Sequence, residues 1–573
     1  MPRPRPAVLA GLFLVFLAGA GEAATWHVKA DAAPGGDGSR ARPFATLEEV
    51  ENASRPGDTI RVLPATRPLG RGIQLKDNQR LIGDGDAVTA PHRAGVRDGG
   101  PATKAPPGGA RPTITNSTSA RHHGDAIRLA NGNLVQNIHV DGAARAAVFG
   151  VNAARAQIRG NLITNNMIQG NDLRRLERPW PDGFILYESQ TNHFGGITML
   201  ACGPGASSYC TMHAPERPAA PTTGEIVIAG NVIRDSNLEG IMLITDTGAA
   251  ATFTVTDTIV RDLSQGLPPP ESFTPPVDIV RSRAFTLIAL NHSRVDLTMS
   301  RFLAENVAPP GRYAADGLVF LTGGDGPVVN AKVSQFTMLN PKMTGEMNNG
   351  DSIEIQHRGS SNAVLNIDMS RLDLRDPASA NIKILEASNP TNGTYNLTVS
   401  DSVLSNNNPA GGLDGQIRLS GASNGTKAFT LVVRNTRFVG IGGAIGILNP
   451  NNVETLTVMV ENSSMSGFTH PAGAKPIAAV TMTHPADKTI GKAVLDLGGG
   501  PLGSRGRNRF VNNPWLDISV TNASPKTAVQ VDASNNYWGG GAPVLGQAPP
   551  GDVAVSGNTK FNAPAHLTAD PAR

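Results

Sequence analysis

Seven charged residues sit at matching places in a series of short apolar segments: EGIMLIT (239–245), RAFTLIAL (283–290), DGLVFLT (316–322), DSIEIQH (351–357), ANIKILE (380–386), GQIRLSG (415–421) and GAIGILN (443–449). If Ile353 and Ile355, Ile382 and Ile384, and Ile417 and Leu419 point to one side, strand alternation sends Glu354, Lys383 and Arg418 to the other. Glu239, Arg283, Asp316 and Asp351 recur two residues ahead of the first apolar anchor of their segments. Lys383 or Arg418 could act as a base if burial or neighbouring cations weakened its hold on its proton, far more easily for Lys. Asp316, Asp351 and Glu354 offer the oxygen donors that a hard cation such as Ca²⁺ takes. Asp316 and Asp351 could also form the carboxylate pair that glycoside hydrolysis uses. The competing reading is a solvated charge ladder on one face of a sheet, stabilising by roughly a few tenths of a kcal/mol per pair.

Other candidates lie outside this column. Residues 171–224 interrupt the segments and carry Trp180, Phe184, Tyr187, Phe194 and Tyr209, rings suited either to sugar faces at a groove edge or to a self-packed lid. A second interruption, 265–278, is proline-rich. Cys202 and Cys210 are the only cysteines. In an exported chain they are expected to form a disulfide, with two free thiols as the alternative; zinc would need neighbouring His at ligand spacing. His357 and Arg358 are read as turn residues just after a strand.

The elements that must position these residues repeat. The first apolar anchors, Ile241, Phe285, Leu318, Ile353, Ile382, Ile417 and Ile445, are separated by 44, 33, 35, 29, 35 and 28 residues. A second alternating motif (DLTMS, AKVSQF, NIDMS, LTVSD, VVRNT, MVENS) ends at Ser300, Ser334, Ser370, Ser400, Asn435 and Asn462 and drifts in step with the first. Each repeat holds two or three short strands joined by small polar turns. A coil of that length stacking on its neighbour is a parallel β-solenoid, each strand pairing with its equivalent one turn away.

The opening of the mature chain, TWHVKADAAPGGDGSRARPFATLEEVENASRPGDTIRVLPA followed by GIQLKDNQRLIGDG, resembles the entry of right-handed parallel β-helix proteins of the pectate-lyase-like superfamily. Thr46 and Glu49 form a plausible capping box, and Leu47, Val50 and Ala53 give the helix an apolar face to close the stack. Near the other end, DASNNYWGGG (532–541) is similar to the family's Asn-x-x-Trp-Gly. It is read as a coil corner at Asn535 and Asn536, with Tyr537 and Trp538 over the end of the last coil. The resemblance implies an all-β, right-handed parallel β-helix with an N-terminal capping helix. Polysaccharide lyases of this fold pair Lys and Arg with acidic metal ligands, and NNGDSIEIQHRGSS (348–361) has a faint likeness to their strand signature. The Arg-x-Pro-x-x-Arg of pectate lyases and the Gly-His-Gly and Asp-Asp of polygalacturonases are missing.

Bulk properties narrow the class. Arg3 and Arg5, the apolar run Ala7–Ala18 and the small residues before Ala24 read as a secretory signal over 1–23. The β-helix is then expected over 24–565, with cap and entry strands at 24–85, the insertion at 171–224, C-terminal coils and cap at 500–565, and a tail at 566–573. With 64 Gly, 43 Pro and a formal charge of +3, the chain is turn-rich and nearly neutral, which gives no reason to expect nucleic acid as partner. No other segment is long enough to span a membrane. The expected function is a secreted or periplasmic protein acting on an acidic polysaccharide, lyase ahead of hydrolase. The alternative is a non-catalytic solenoid that binds glycans or protein partners.

Overall fold

A computed structural model describes residues 22–85, 111–118, 120–166, 194–204, 220, 222–237, 239–263, 280–307, 313–340, 350–386, 392–408, 415–421, 426–450, 452–473, 477–547 and 551–571. Along strand Val328–Leu339, residues 329, 331 and 333 are buried, and then 336 and 338, so the alternation slips by one at Gln335. Gln335 has φ +55° and turns the strand through a corner. Arg301 (φ +51°) does the same within Arg294–Glu305, and Asp257 (φ +54°) within Ala250–Arg261. The left-handed position recurs at Arg371, Asp401, Asn435, Asn462, Arg507 and Asn535. None of these nine is glycine, so these coils hold a conformation that costs L-residues energy, least for Asn and Asp, whereas two earlier coils turn the same corner at Gly160 and Gly230.

Every pairing between named strands is parallel, and one sheet of fourteen strands follows chain order from Ile73–Gln74 to Val553–Gly557. Its seven central anchors fall in a single column, Ile241–Phe285–Leu318–Ile353–Ile382–Ile417–Ile445. The remaining faces form a 24-stranded sheet, and a continuous apolar core fills the space between. This is a right-handed parallel β-helix, with the hand that parallel crossover connections take. At about 4.8 Å per rung, the fourteen-stranded sheet runs roughly 60 Å. The second sequence motif holds its register from Ser300 to Ser400 but then pairs with Arg434 and Glu461, one residue short of Asn435 and Asn462.

Helix Leu47–Ala53 carries the expected capping box and buries Leu47 and Val50. At the other end, Asn535 and Asn536 do form a corner: Asn535 is left-handed, and Asn536 is fully buried. Its Oδ1 accepts from Asn508 N, while Nδ2 donates to the Leu497 and Ala533 carbonyls. Trp538 stacks on Phe510 of the preceding coil, centroids 4.6 Å apart. It does not close the stack, because Val553–Gly557 and Thr559–Asn562 add further strands beyond it. Part of the stretch read as an insertion is itself a rung: Gly195–Cys202 pairs with Val148–Val151 and Glu239–Asp246.

Candidate functional site

The site lies on the outward face of the fourteen-stranded sheet, on strands Glu239–Asp246, Val280–Leu290, Tyr313–Asp325, Ile353–Ser361, Ile382–Glu386 and Ile417–Gly421. Glu354, Lys383 and Arg418 stand in one register column, as alternation requires. Glu239, Arg283 and Asp316 form a second column, and the Asp351 N–H donates to Asp316 Oδ1 at 3.1 Å. Strict alternation would turn this second column inward, since it lies two residues before an inward anchor. The backbone breaks parity there instead. Ala284 is part of the core, and a Cβ on Gly240 would meet Val260 Cγ1 at 2.6 Å and one on Gly317 would meet Met338 Sδ at 2.4 Å. Small residues face the interior at this step, so the carboxylates beside them face outward.

The two columns meet. One carboxylate oxygen from each of Asp316, Asp351 and Glu354 lies within 4.8 Å of the others. Lys383 Nζ is 3.2 Å from Asp351 Oδ2, and Arg283 bridges Asp316 Oδ2 (3.4 Å) and Glu239 Oε1 (3.5 Å). Asp351 Oδ1 accepts from Ala380 N at 2.8 Å, Thr286 Oγ1 donates to Glu239 Oε2 at 2.8 Å, and Gln356 Nε2 donates to Glu354 Oε1. Gln356 and Thr286 were missed in the sequence. Both were findable, since Gln356 is two residues beyond Glu354 on the same face and Thr286 shares its column.

The expectation of an exposed charged face is corrected. Glu239, Asp316, Asp351 and Glu354 are fully buried, Arg283 and Lys383 nearly so, and Arg418 is half-buried. Alternation separates the inside of a coil from its outside, but it cannot report what covers the outside. A solvated ladder of weak pairs is therefore excluded, and desolvation governs the chemistry. Burial pushes the Glu239 carboxyl up to about 7 against the opposing pull of Arg283 and Thr286. Burial likewise raises Asp351, with Lys383 opposing and the Asp316 charge adding to the rise.

His357 and Arg358 lie inside strand Ile353–Ser361 and are not turn residues. The buried His357 bonds Thr322 Oγ1 through Nδ1 at 2.6 Å and packs edge-on against Tyr395. Trp180, Tyr187, Tyr209 and Phe184 lie outside the described residues, as does Cys210. Cys202 is buried and disulfide-bonded. Phe194 is also buried, edge-on to Phe149 at 5.8 Å, with the Arg145 guanidinium 4.4 Å from its ring centre. That ring packs against the sheet and presents no face to a ligand.

No protein-family model matches the chain, and no curated protein matches it in sequence. Among solved structures it is similar to the A-module of the Azotobacter vinelandii mannuronan C-5 epimerase AlgE6, at 11% identity over 90% of this chain and 93% of that one, with a TM-score of 0.30. It is also similar to the GH136 lacto-N-biosidase of Eubacterium ramulus, at 12% identity over 87% and 68% of the two chains, TM-score 0.35. A third is the Azotobacter vinelandii AlgE4 epimerase A-module, at 9% identity over 95% and 100%, TM-score 0.30.

Proposed function

We propose that this protein acts on a polysaccharide at the outward face of the fourteen-stranded sheet, and that the reaction is β-elimination from a uronate-containing chain. The observation that carries the reading is the meeting of three carboxylates with Lys383, which is ion-paired to one of them and stands in line with the half-buried Arg418. Arg418 would hold the substrate carboxylate, which accepts charge as the C5 proton leaves. Lys383 would take that proton; the C4–O bond breaks, a C4–C5 double bond forms, and the departing oxygen takes a proton from water, the Lys383 ammonium returning its own to solvent afterwards. Lys383 Nζ is taken up by Asp351 Oδ2, so its use as a base requires that Asp351 be engaged otherwise.

The donor set fits a hard cation, being three carboxylates from two neighbouring rungs within reach of one another. Asp316, Asp351 and Glu354 would hold Ca²⁺. A bound Ca²⁺ would supply positive charge that offsets their mutual repulsion and weakens Lys383's hold on its proton. The leader-like residues 1–23 support a secreted or periplasmic location.

A second reading, glycoside hydrolysis, is favoured by one observation: Asp351 is raised and stands close to two other carboxylates, the arrangement that lets one carboxyl keep a proton beside an ionised partner. The test is incubation with a panel of acidic polysaccharides, with and without Ca²⁺, following both the absorbance of unsaturated product and new reducing ends. Absorbance with Ca²⁺ supports elimination. Reducing ends without absorbance supports hydrolysis. Binding with neither leaves a glycan-binding solenoid and refutes catalysis.

A further inference from the structure

Two cationic side chains touch the carboxylates assigned to a metal ion, and they are held differently. Arg283 reaches Asp316 Oδ2 through Nε at 3.4 Å and Glu239 Oε1 through Nη1 at 3.5 Å. Glu239 is fixed in turn by Thr286 Oγ1 at 2.8 Å. A planar guanidinium braced between two fully buried carboxylates has a settled place. Lys383 meets the cluster as a point charge on a flexible four-carbon stem, with Nζ 3.2 Å from Asp351 Oδ2. Its side chain is 11% exposed and that of Asp351 is not exposed at all, so the lysine borders solvent and its partner does not.

Asp351 divides its two oxygens unequally. Oδ1 accepts from Ala380 N at 2.8 Å, and the Ser379 side chain also reaches this carboxylate. Oδ2 is withdrawn from solvent and makes no hydrogen bond of good geometry. What it has is the Lys383 charge at 3.2 Å, with the Asp316 and Glu354 carboxylates close by. A buried anionic oxygen served only in this way gains from a cation bound to it directly.

That oxygen cannot serve two cations. A hard divalent ion lies about 2.3–2.6 Å from each oxygen it takes. On Asp351 Oδ2 it would stand beside the ammonium, like charges facing each other in a site closed to water, where their repulsion is strong.

We propose that Lys383 is a tethered stand-in for the metal: it holds Asp351 Oδ2 in the cation-free protein and swings away when a divalent cation takes that oxygen. Resting on the cation reading of the three carboxylates given above, this makes the bound metal and the Asp351–Lys383 pair mutually exclusive. Lys383 stands in register between Glu354 and Arg418, so an ammonium that leaves Asp351 stays on the outward face, beside the group assigned to the substrate carboxylate. The base is thus withheld by the chain itself until the cation is in place, and the cation-free protein is inactive rather than slow.

The probe is Ca²⁺ alone, on the full chain at fixed pH. By isothermal titration calorimetry, Lys383→Met should bind Ca²⁺ at least tenfold more tightly than the parent. Lys383→Arg, which keeps a cation there, should stay near the parent. A second measurement needs no substitution: acetylation of the parent by acetic anhydride, read at Lys383 by mass spectrometry. It should run at least fivefold faster with saturating Ca²⁺, while the exposed Lys560 on a distant rung reacts equally in both states. The inference is overturned if Ca²⁺ binds the parent and Lys383→Met alike, or if Lys383→Arg gains as much as Lys383→Met. Continued protection of Lys383 in the Ca²⁺-bound parent overturns it equally, and in each of these cases the cation site itself stands. If Ca²⁺ binds neither parent nor Lys383→Met at millimolar concentration, the cation site is refuted and the inference falls with it.

Discussion

Replacing Lys383 by Met keeps most of the side-chain length and removes the cation that stands 3.2 Å from a fully buried carboxylate. Had Lys383 been a surface residue, the change would cost about 0.5 kcal/mol or less. Taking one partner from a buried pair instead costs about 3–5 kcal/mol, because the other charge is left desolvated. Asp351 keeps its bond from Ala380 N, and the Lys383 side chain is 11% exposed, so the lower end, about 3 kcal/mol at pH 8, is expected. The pH dependence has a fixed sign. Burial already raises Asp351 and Lys383 opposes that rise, so the variant's carboxyl rises further. A carboxyl raised in the folded state stabilises fully below its unfolded pKa and loses that contribution as pH climbs through the folded value. The gap between variant and parent should therefore be wide at pH 8 and narrower at pH 5. Urea unfolding at both pH values measures it, with Lys383→Met/Asp351→Asn as the control that removes both charges and recovers most of the loss. A single variant within about 0.5 kcal/mol of the parent at pH 8 would refute the reasoning. So would a loss that is the same at both pH values and in the double variant. Activity lost in Lys383 variants must accordingly be read on the folded fraction.

Glu239, pushed up from 4.5 to about 7, and Asp517, also pushed up to about 7, hold protons that the unfolded chain releases. The Tm should thus fall as pH rises from 5 to 8, and Glu239→Gln should flatten the slope; a Tm that climbs over this window contradicts the assignment. Millimolar Ca²⁺ should raise the Tm of the parent and leave Asp316→Asn unmoved, whereas an unresponsive parent argues against a cation at the three carboxylates. Asn536→Ala strands the buried Asn508 N–H and removes a donor from the Ala533 and Leu497 carbonyls, the latter still accepting from Asn508 Nδ2, and should cost about 2–3 kcal/mol in urea unfolding. Asn535→Ala, at an exposed left-handed position, should cost roughly 1 kcal/mol, and equal losses at the two sites would undo the corner assignment.

The coil, its repeat and the neighbours within each column were legible in the order of residues alone. An apolar anchor recurring once per turn admits one parallel register, because a one-residue slip would turn every anchor out of the core. Ile241 through Ile445, and Glu354 beside Lys383 beside Arg418, follow from that alone. The capping box of Thr46 and Glu49 was legible for the same reason, being an interaction between residues three apart. Tertiary structure decided the rest. The left-handed corners at Gln335 and Arg301 carry no glycine to announce them and are imposed by the coil they close. The parity break at Gly240, Ala284 and Gly317 arises from close approach to the opposite sheet, and it brings Asp316 and Asp351 to the side of Glu354. Trp538 proved to be an inner packing ring because later strands stack past it. Above all, the cluster's burial converts a row of charges into groups with altered proton affinity. Local alternation fixes the direction in which a side chain leaves the strand, whereas desolvation depends on all the matter around it, much of it distant in sequence.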